Sequence, residues 1–245
     1  SMVSRRVNLS EQIQQELQER ILTNQYKINE YLPSEAALCE ELGVSRTTVR
    51  DAISALVEKG LVKRQQGKGI LVIDNTDSVF THSLRNMMLL GNYTIREFFE
   101  TREMIECQMA YFASKRASEQ QLQEMYHCIE EMEATKDKDR YVSLDMDFHF
   151  RIAQASANKL LIAVYEAMQP MLKEVVDWVV ENGGKVEPTM KFHTKIYECI
   201  KNHDSDGAKK ITLEHDQVSA KMFLDGIKNG MDLDSFQFRQ IWETK

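Results

Sequence analysis

Glu41-Leu42-Gly43-Val44-Ser45-Arg46-Thr47-Thr48-Val49-Arg50 decides the fold of the first third of the chain. Gly43 is placed to end one helix, because a residue without a Cβ takes positive φ freely. Two residues later Ser45 is placed to cap the next helix, its side-chain oxygen accepting from an amide of the first turn. Val49, Ile53, Leu56 and Val57 then recur at three- and four-residue steps and form one apolar face. Upstream, Ser34 after Pro33 is placed to cap a short helix over Glu35–Leu42, and residues 26–32 are a connector. Farther upstream, Asn8 and Glu11 have the spacing of a capping box ahead of Ile13, Leu17 and Ile21. Downstream, Gly60 ends the third helix. The β-prone stretches 61–65 and 70–73 flank Gln66-Gly67-Lys68-Gly69, a turn sequence suited to a hairpin. Three short helices and a Gly-tipped hairpin are the pattern of a winged helix-turn-helix, here over residues 8–74.

The rest of the chain is read against its composition. It has 245 residues, with 31 Lys+Arg against 38 Asp+Glu and a formal charge of −7. Ten Gly and three Pro are too few for a turn-rich all-β fold or a disordered chain. No apolar run approaches the roughly 18–20 residues needed to cross a bilayer, and no signal-peptide pattern opens the chain, so a cytoplasmic setting is expected. Cys39, Cys107, Cys128 and Cys199 lie far apart without a CxxC pair, which fits reduced thiols. Charge is unevenly spread. Residues 1–75 carry ten cations and ten anions, so the whole net charge lies beyond them. Within Gly43 to Gly69, six cations (Arg46, Arg50, Lys59, Lys63, Arg64, Lys68) face two acids (Asp51, Glu58). A compact basic segment on an acidic protein implies a local contact with an anion.

Asp74 to Val79 reads as a polar linker. After it only helical periodicity appears, in about seven segments at 79–90, 94–116, 118–135, 139–156, 158–182, 187–203 and 205–228. Pro170 falls inside the fifth and predicts a kink. The expected architecture is mainly α: an N-terminal winged helix-turn-helix, then an all-α bundle over 79–228. The extension 229–245, with Phe236, Phe238, Ile241 and Trp242, is too apolar for a free tail.

Arg46, Thr47, Thr48 and Arg50 occupy the opening of the third helix. A recognition helix enters the major groove by that end, where Arg can bond guanine bidentately and Thr can bond phosphate. The Gly67-Lys68-Gly69 tip permits close backbone approach and adds charge. Leu32-Pro33-Ser34-Glu35, the stretch from Glu41 to Arg50, Gly60-Leu61-Val62 and Gly67-Lys68-Gly69 closely resemble the GntR family of bacterial transcription regulators. That resemblance implies base contacts from Arg46 and Arg50, phosphate contacts from Thr47 and Thr48, and a wing tip of Gln66, Gly67 and Lys68 in the minor groove. Two positions depart from the family. Ala36 stands where Arg is common, and Asn29-Glu30 replaces the usual Pro-Gly.

In the helical half, four apolar stripes are interrupted by polar residues. Ile95, Phe98, Arg102, Ile105, Met109 and Phe112 share one face. Asp145 and His149 stand four apart on another. His193 aligns with Met190, Ile196, Tyr197 and Ile200, and His215 with Ile211, Val218 and Met222. Buried polar groups are costly unless satisfied. One Asp and three His facing inward are donors suited to zinc, nickel or manganese. His82, His127 and His203 show no such alignment. Leu144-Asp145-Met146-Asp147-Phe148-His149, Ala153-x-Ala155-Ser156-x-Asn158, Phe99-Glu100-Thr101-Arg102 with Glu106, and His193-Thr194-Lys195-Ile196 followed by His215 resemble the FCD effector domain of the FadR-type subfamily. The resemblance implies a divalent metal held by Asp145, His149, His193 and His215. It also implies a small organic-acid effector met by Arg102 and Asn158.

The expected protein is a homodimeric transcription regulator, most simply a repressor, that binds palindromic half-sites on duplex DNA and responds to that acid. It is not expected to be an enzyme or to engage a membrane. Two alternatives remain at this point. One is a regulator whose Asp and His residues are structural. The other is a metal-dependent hydrolase fused to a DNA-binding tether, with Glu106 or Asp147 as its base.

Overall fold

A computed structural model describes residues 2–185, 187–228 and 230–243, with side chains from residue 9 onward. The chain divides into two compact units, Ser1–Ser83 and Leu84–Lys245.

In the first unit α1 (Met2–Leu22), α2 (Glu35–Leu42) and α3 (Arg46–Glu58) precede the hairpin of β1 (Val62–Gln65) and β2 (Gly69–Val72). The strands are antiparallel, with Val62 opposite Val72 and Gln65 opposite Gly69. Tyr31 adds an isolated bridge to Leu71. The caps sit where the sequence puts them. Ser34 accepts from the amide of Ala37 and Ser45 from that of Thr48, and Gly43 takes φ 64°. Asn29 adopts φ 71°, so the turn that lacks Pro-Gly is made by a residue that tolerates the left-handed region. Gly60 combines φ 74° with an approach that would set a Cβ 2.7 Å from the carbonyl oxygen of Asn75. Ile13, Leu17, Ile21, Leu38, Val49, Ile53, Leu56, Val62, Ile70 and Val72 form the core. Two expectations change. Helix α1 begins at Met2 and runs through position 8, so Asn8 does not cap it; the Asn8 side chain itself lies outside the described residues. Val57 is 39% exposed, because the α3 face that packs inward is completed by Ala52.

The second unit is helical. Helix α4 (Thr76–Leu90), which runs through the division after Ser83, starts three residues earlier than the periodicity indicated. Asp74 accepts from the amide and hydroxyl of Thr76, so polar residues read as a linker initiate a helix. Then come α5 (Ile95–Arg116), α6 (Glu119–Ala134), α7 (Lys138–Ala155), α8 (Lys159–Glu181), α9 (Met190–Lys201), α10 (Ser205–Gly226) and a short α11 (Gln240–Glu243), with a 3₁₀ turn at Glu187–Thr189 before α9. Capping boxes at Thr94 and Ser118 open α5 and α6. Helix α8 continues on both sides of Pro170. Phe236, Phe238 and Ile241 are buried. The amides of Ile95 and Arg96 donate to the carbonyls of Phe236 and Leu233, and that of Phe238 to Tyr93. The C-terminal segment thereby satisfies orphan amides at the start of α5.

Candidate DNA-reading surface and metal centre

In the first unit Arg46, Thr47 and Arg50 are exposed along the start of α3, and Thr48 is half-buried against Ser45, 2.8 Å between hydroxyls. Gln66, Gly67 and Lys68 are exposed at the hairpin tip. Arg64 was counted in the basic segment but given no individual role. Its guanidinium lies 2.5 Å from Glu35 and donates to the carbonyl oxygen of Arg50, and it lines a surface groove with Thr47, Arg50 and Ser54.

In the second unit, α7 contributes Asp145 and His149, α9 contributes His193, and α10 contributes His215. Each offers a ligand atom within 4.8 Å of the others. The three imidazoles are essentially inaccessible, and their ring centroids are 4.7 to 5.4 Å apart. Nε2 of His193 is 2.7 Å from Oδ1 of Asp145, and Nε2 of His149 is 3.4 Å from the same atom. Neither approach has hydrogen-bond alignment. All three Nε2 atoms and Oδ1 are without hydrogen-bond partners. An orphaned buried donor or acceptor costs about 1–3 kcal/mol. Three nitrogens and a carboxylate oxygen left so around one point fit a nitrogen- and oxygen-preferring divalent ion.

Behind this cluster lies a charged network that the stripes did not reveal. Nε of Arg102 donates to Glu106 at 2.9 Å, and its guanidinium is 3.7 Å from Asp216. The Tyr165 hydroxyl donates to Glu106 at 3.0 Å, and Nδ1 of His215 is 2.9 Å from Oδ1 of Asp216. Arg102, Glu106, Tyr165 and Asp216 are all buried. Burial and the Glu106 charge push the Asp216 carboxyl well above the ordinary carboxylate range. Glu106 is driven upward by its own burial, but Arg102 and His149 outweigh this and hold it below the usual value. Burial, with the neighbouring His149 and His193, keeps His215 well below an ordinary histidine. His149 is raised despite burial, by Glu106 and Asp145. Asp145, also opposed by burial, is held well down by His193 and His149. Asp216 was legible only as an acid beside an inward His, while Glu106 was named with Arg102 in the FCD-like motif but without its buried partners.

Arg102, Asp145 and His215 open onto a cavity of about 30 Å³ whose other walls include Phe99, Val175, Val179, Thr189, Ser219 and Met222. The larger groove between α7 and α8, about 750 Å³, is on the outer surface and includes none of these donors. The structure does not bring Asn158 to the cavity. Its side chain caps α8 by accepting from the amide of Leu161. Seventeen residues of helix separate it from Val175, roughly 25 Å at 1.5 Å per residue. An Asn immediately before an apolar helix is a cap by chemistry, and that role accounts for it. His203 bonds the carbonyl of Ser114, while His82 and His127 are exposed.

Residues 9–72 match the bacterial regulatory proteins of the gntR family, and residues 97–217 match the FCD domain. The chain belongs to the GntR family of DNA-binding transcription regulators and carries an FCD domain. It is 29% identical to the Exu regulon transcriptional regulator of Escherichia coli (strain K12), across 84% of this chain and 81% of that one. It is 27% identical to the HTH-type transcriptional repressor NanR of Enterobacter sp. (strain 638), across 88% and 85%. With the HTH-type transcriptional regulator LutR of Bacillus subtilis (strain 168) the identity is 26%, across 80% and 92%. The solved Streptococcus agalactiae GntR shares its fold, with TM-score 0.66 at 22% identity over 86% of this chain and 99% of that one. The family and these relatives are regulators, not enzymes, so the hydrolase alternative is discarded.

Proposed function

We propose that this regulator is a homodimeric repressor whose hold on a palindromic operator is set by a small organic acid bound beside a divalent metal ion. The observation that carries this reading is the convergence of Asp145, His149, His193 and His215, from three helices, on one buried point with their ligand atoms unpartnered. These four residues would hold zinc, nickel or manganese, and the ion would supply a Lewis-acidic partner for a carboxylate. Arg102 is the second anion contact. A guanidinium has five donors, and Glu106 takes Nε, so donors remain on the cavity side. The narrowness of the cavity favours an acid of few carbons over a long acyl chain. On DNA, Arg46 and Arg50 read base edges, Thr47 and Thr48 bond phosphates, and Gln66, Gly67 and Lys68 enter the minor groove. That some relatives are named repressors supports repression here. Action on an operator puts the protein in the cytoplasm.

The effector must bind one dimer geometry better than another, because equal affinity shifts nothing. The test is a gel shift on the upstream region of its own gene at fixed, moderate salt, with metal-stripped and zinc-loaded protein and a panel of small carboxylates. Sequence-specific retardation, weakened by an acid only in the zinc-loaded sample, is expected. Retardation no stronger than on random DNA would overturn the operator assignment. An acid response that ignores zinc would overturn the metal's part in sensing.

A further inference from the structure

We infer that Asp216 is a positioning residue for the metal centre: it fixes His215 in the tautomer that directs a bare Nε2 at the ion. This inference rests on the metal reading above and deepens it. Nδ1 of His215 is 2.9 Å from Oδ1 of Asp216, and Nε2, the atom on the opposite side of the ring, has no hydrogen-bond partner. A neutral imidazole carries one N–H. A carboxyl oxygen with no proton of its own can only accept, so the N–H sits on Nδ1 and the lone pair on Nε2. The hydrogen bond on the far nitrogen of a ligating histidine decides which nitrogen meets the metal and how the ring is turned.

A ligand atom of Glu106 lies within 4.8 Å of those of His215 and Asp216. Arg102 donates to Glu106 and stands 3.7 Å from Asp216, which anchors the pair. Asp216 therefore accepts from His215, with the Arg102 guanidinium beside it. Of the three imidazoles in the cluster, His215 is the one whose far nitrogen contacts a carboxylate at hydrogen-bond distance: Nδ1 of His193 has no partner, and Nδ1 of His149 is 3.9 Å from Glu106. The rigid member of the ligand set is His215, and it is rigid through Asp216.

An asparagine at 216 keeps the contact with His215, since its carbonyl oxygen accepts. The experiment compares zinc affinity, by competition with a chromophoric chelator, for the full-length wild type, Asp216→Asn and Asp216→Ala. Wild-type affinity in Asp216→Asn, and about 10- to 100-fold weaker binding in Asp216→Ala, are expected. Equal affinity in all three, or equal loss in both variants, would overturn the positioning role; the second result would mean that charge, not the hydrogen bond, matters. Nitrogen-15 correlation spectra of the metal-free wild type supply a readout that needs no variant to fold. An Nδ1–H tautomer at His215 is expected, and an Nε2–H tautomer would overturn the role. Failure of the wild type itself to take up zinc would overturn the underlying metal reading, while the tautomer would still report on Asp216 separately.

Discussion

In the N-terminal unit the buried side chains are apolar, from Ile13 to Val72, while Arg46, Arg50, Arg64 and Lys68 stand toward solvent. In the helical unit Arg102, Glu106, His149, His193, His215 and Asp216 lie inside, among Phe99, Phe148 and Ile196. Both units use the same side-chain chemistry on anions or cations, but at opposite dielectric. A phosphate-facing arginine works in water, is screened by salt, and is cheap to hold. A buried guanidinium loses several kcal/mol of hydration and keeps its place only through matched carboxylates. Reading DNA calls for a charged surface that can be re-formed at each encounter. A charged interior is instead fixed in advance by its own buried partners.

The contrast is broken most sharply by the same substitution in each half. Arg102→Ala leaves Glu106 and Asp216 buried without their cation and is expected to cost about 3–5 kcal/mol of stability, read by urea unfolding. Arg50→Ala is expected to leave stability within about 0.5 kcal/mol. It should instead lower the preference for operator over random DNA by about 1–3 kcal/mol. If Arg102→Ala proved neutral, the interior network would be ornamental. If Arg50→Ala kept its specificity ratio, the recognition helix would be misassigned.

Removing a ligand sharpens the comparison further. His149→Ala should lower zinc retention at least as much as loss of an orienting partner, about 10- to 100-fold, with operator binding retained in metal-free buffer; metal analysis showing equal content in variant and parent would refute the ligand set. A pH series follows from the direction of the His149 shift. Its folded value is raised, so its proton stabilises the metal-free fold below about pH 6.5, and that contribution is lost as pH rises through the raised value. Zinc needs the neutral ring and so gains over the same rise. His215, held neutral, and Asp145, held ionised, contribute alike with and without zinc. The increase in Tm on adding zinc should therefore grow from pH 6 to pH 8, and a flat response would exclude His149. The smallest effect is expected at the wing: Lys68→Ala should weaken all DNA sequences evenly and reduce the salt slope by about one. A sequence-selective loss would make Lys68 a reader.

What the sequence revealed depended on range. Caps and glycine stops at Ser34, Gly43 and Ser45 act within four residues, so the recognition helix could be read directly. Inward histidines were legible as breaks in an apolar stripe. The network behind those histidines was not, because Glu106, Tyr165 and Asp216 meet across α5, α8 and α10 and no periodicity links them. Asn158 shows the reverse error, a residue lent a distant role when a local one, capping α8, accounts for its chemistry. Asp74 was likewise read as spacer composition when it initiates α4.

The bonds from Ile95 and Arg96 to Phe236 and Leu233 also order events during synthesis. The helix that bears Arg102 obtains its last amide partners only after residue 236 has left the ribosome. The N-terminal core closes with Val72. At about 5–20 residues per second, a nascent regulator would spend roughly 8 to 30 seconds with its DNA-binding domain complete and its FCD unit unfinished.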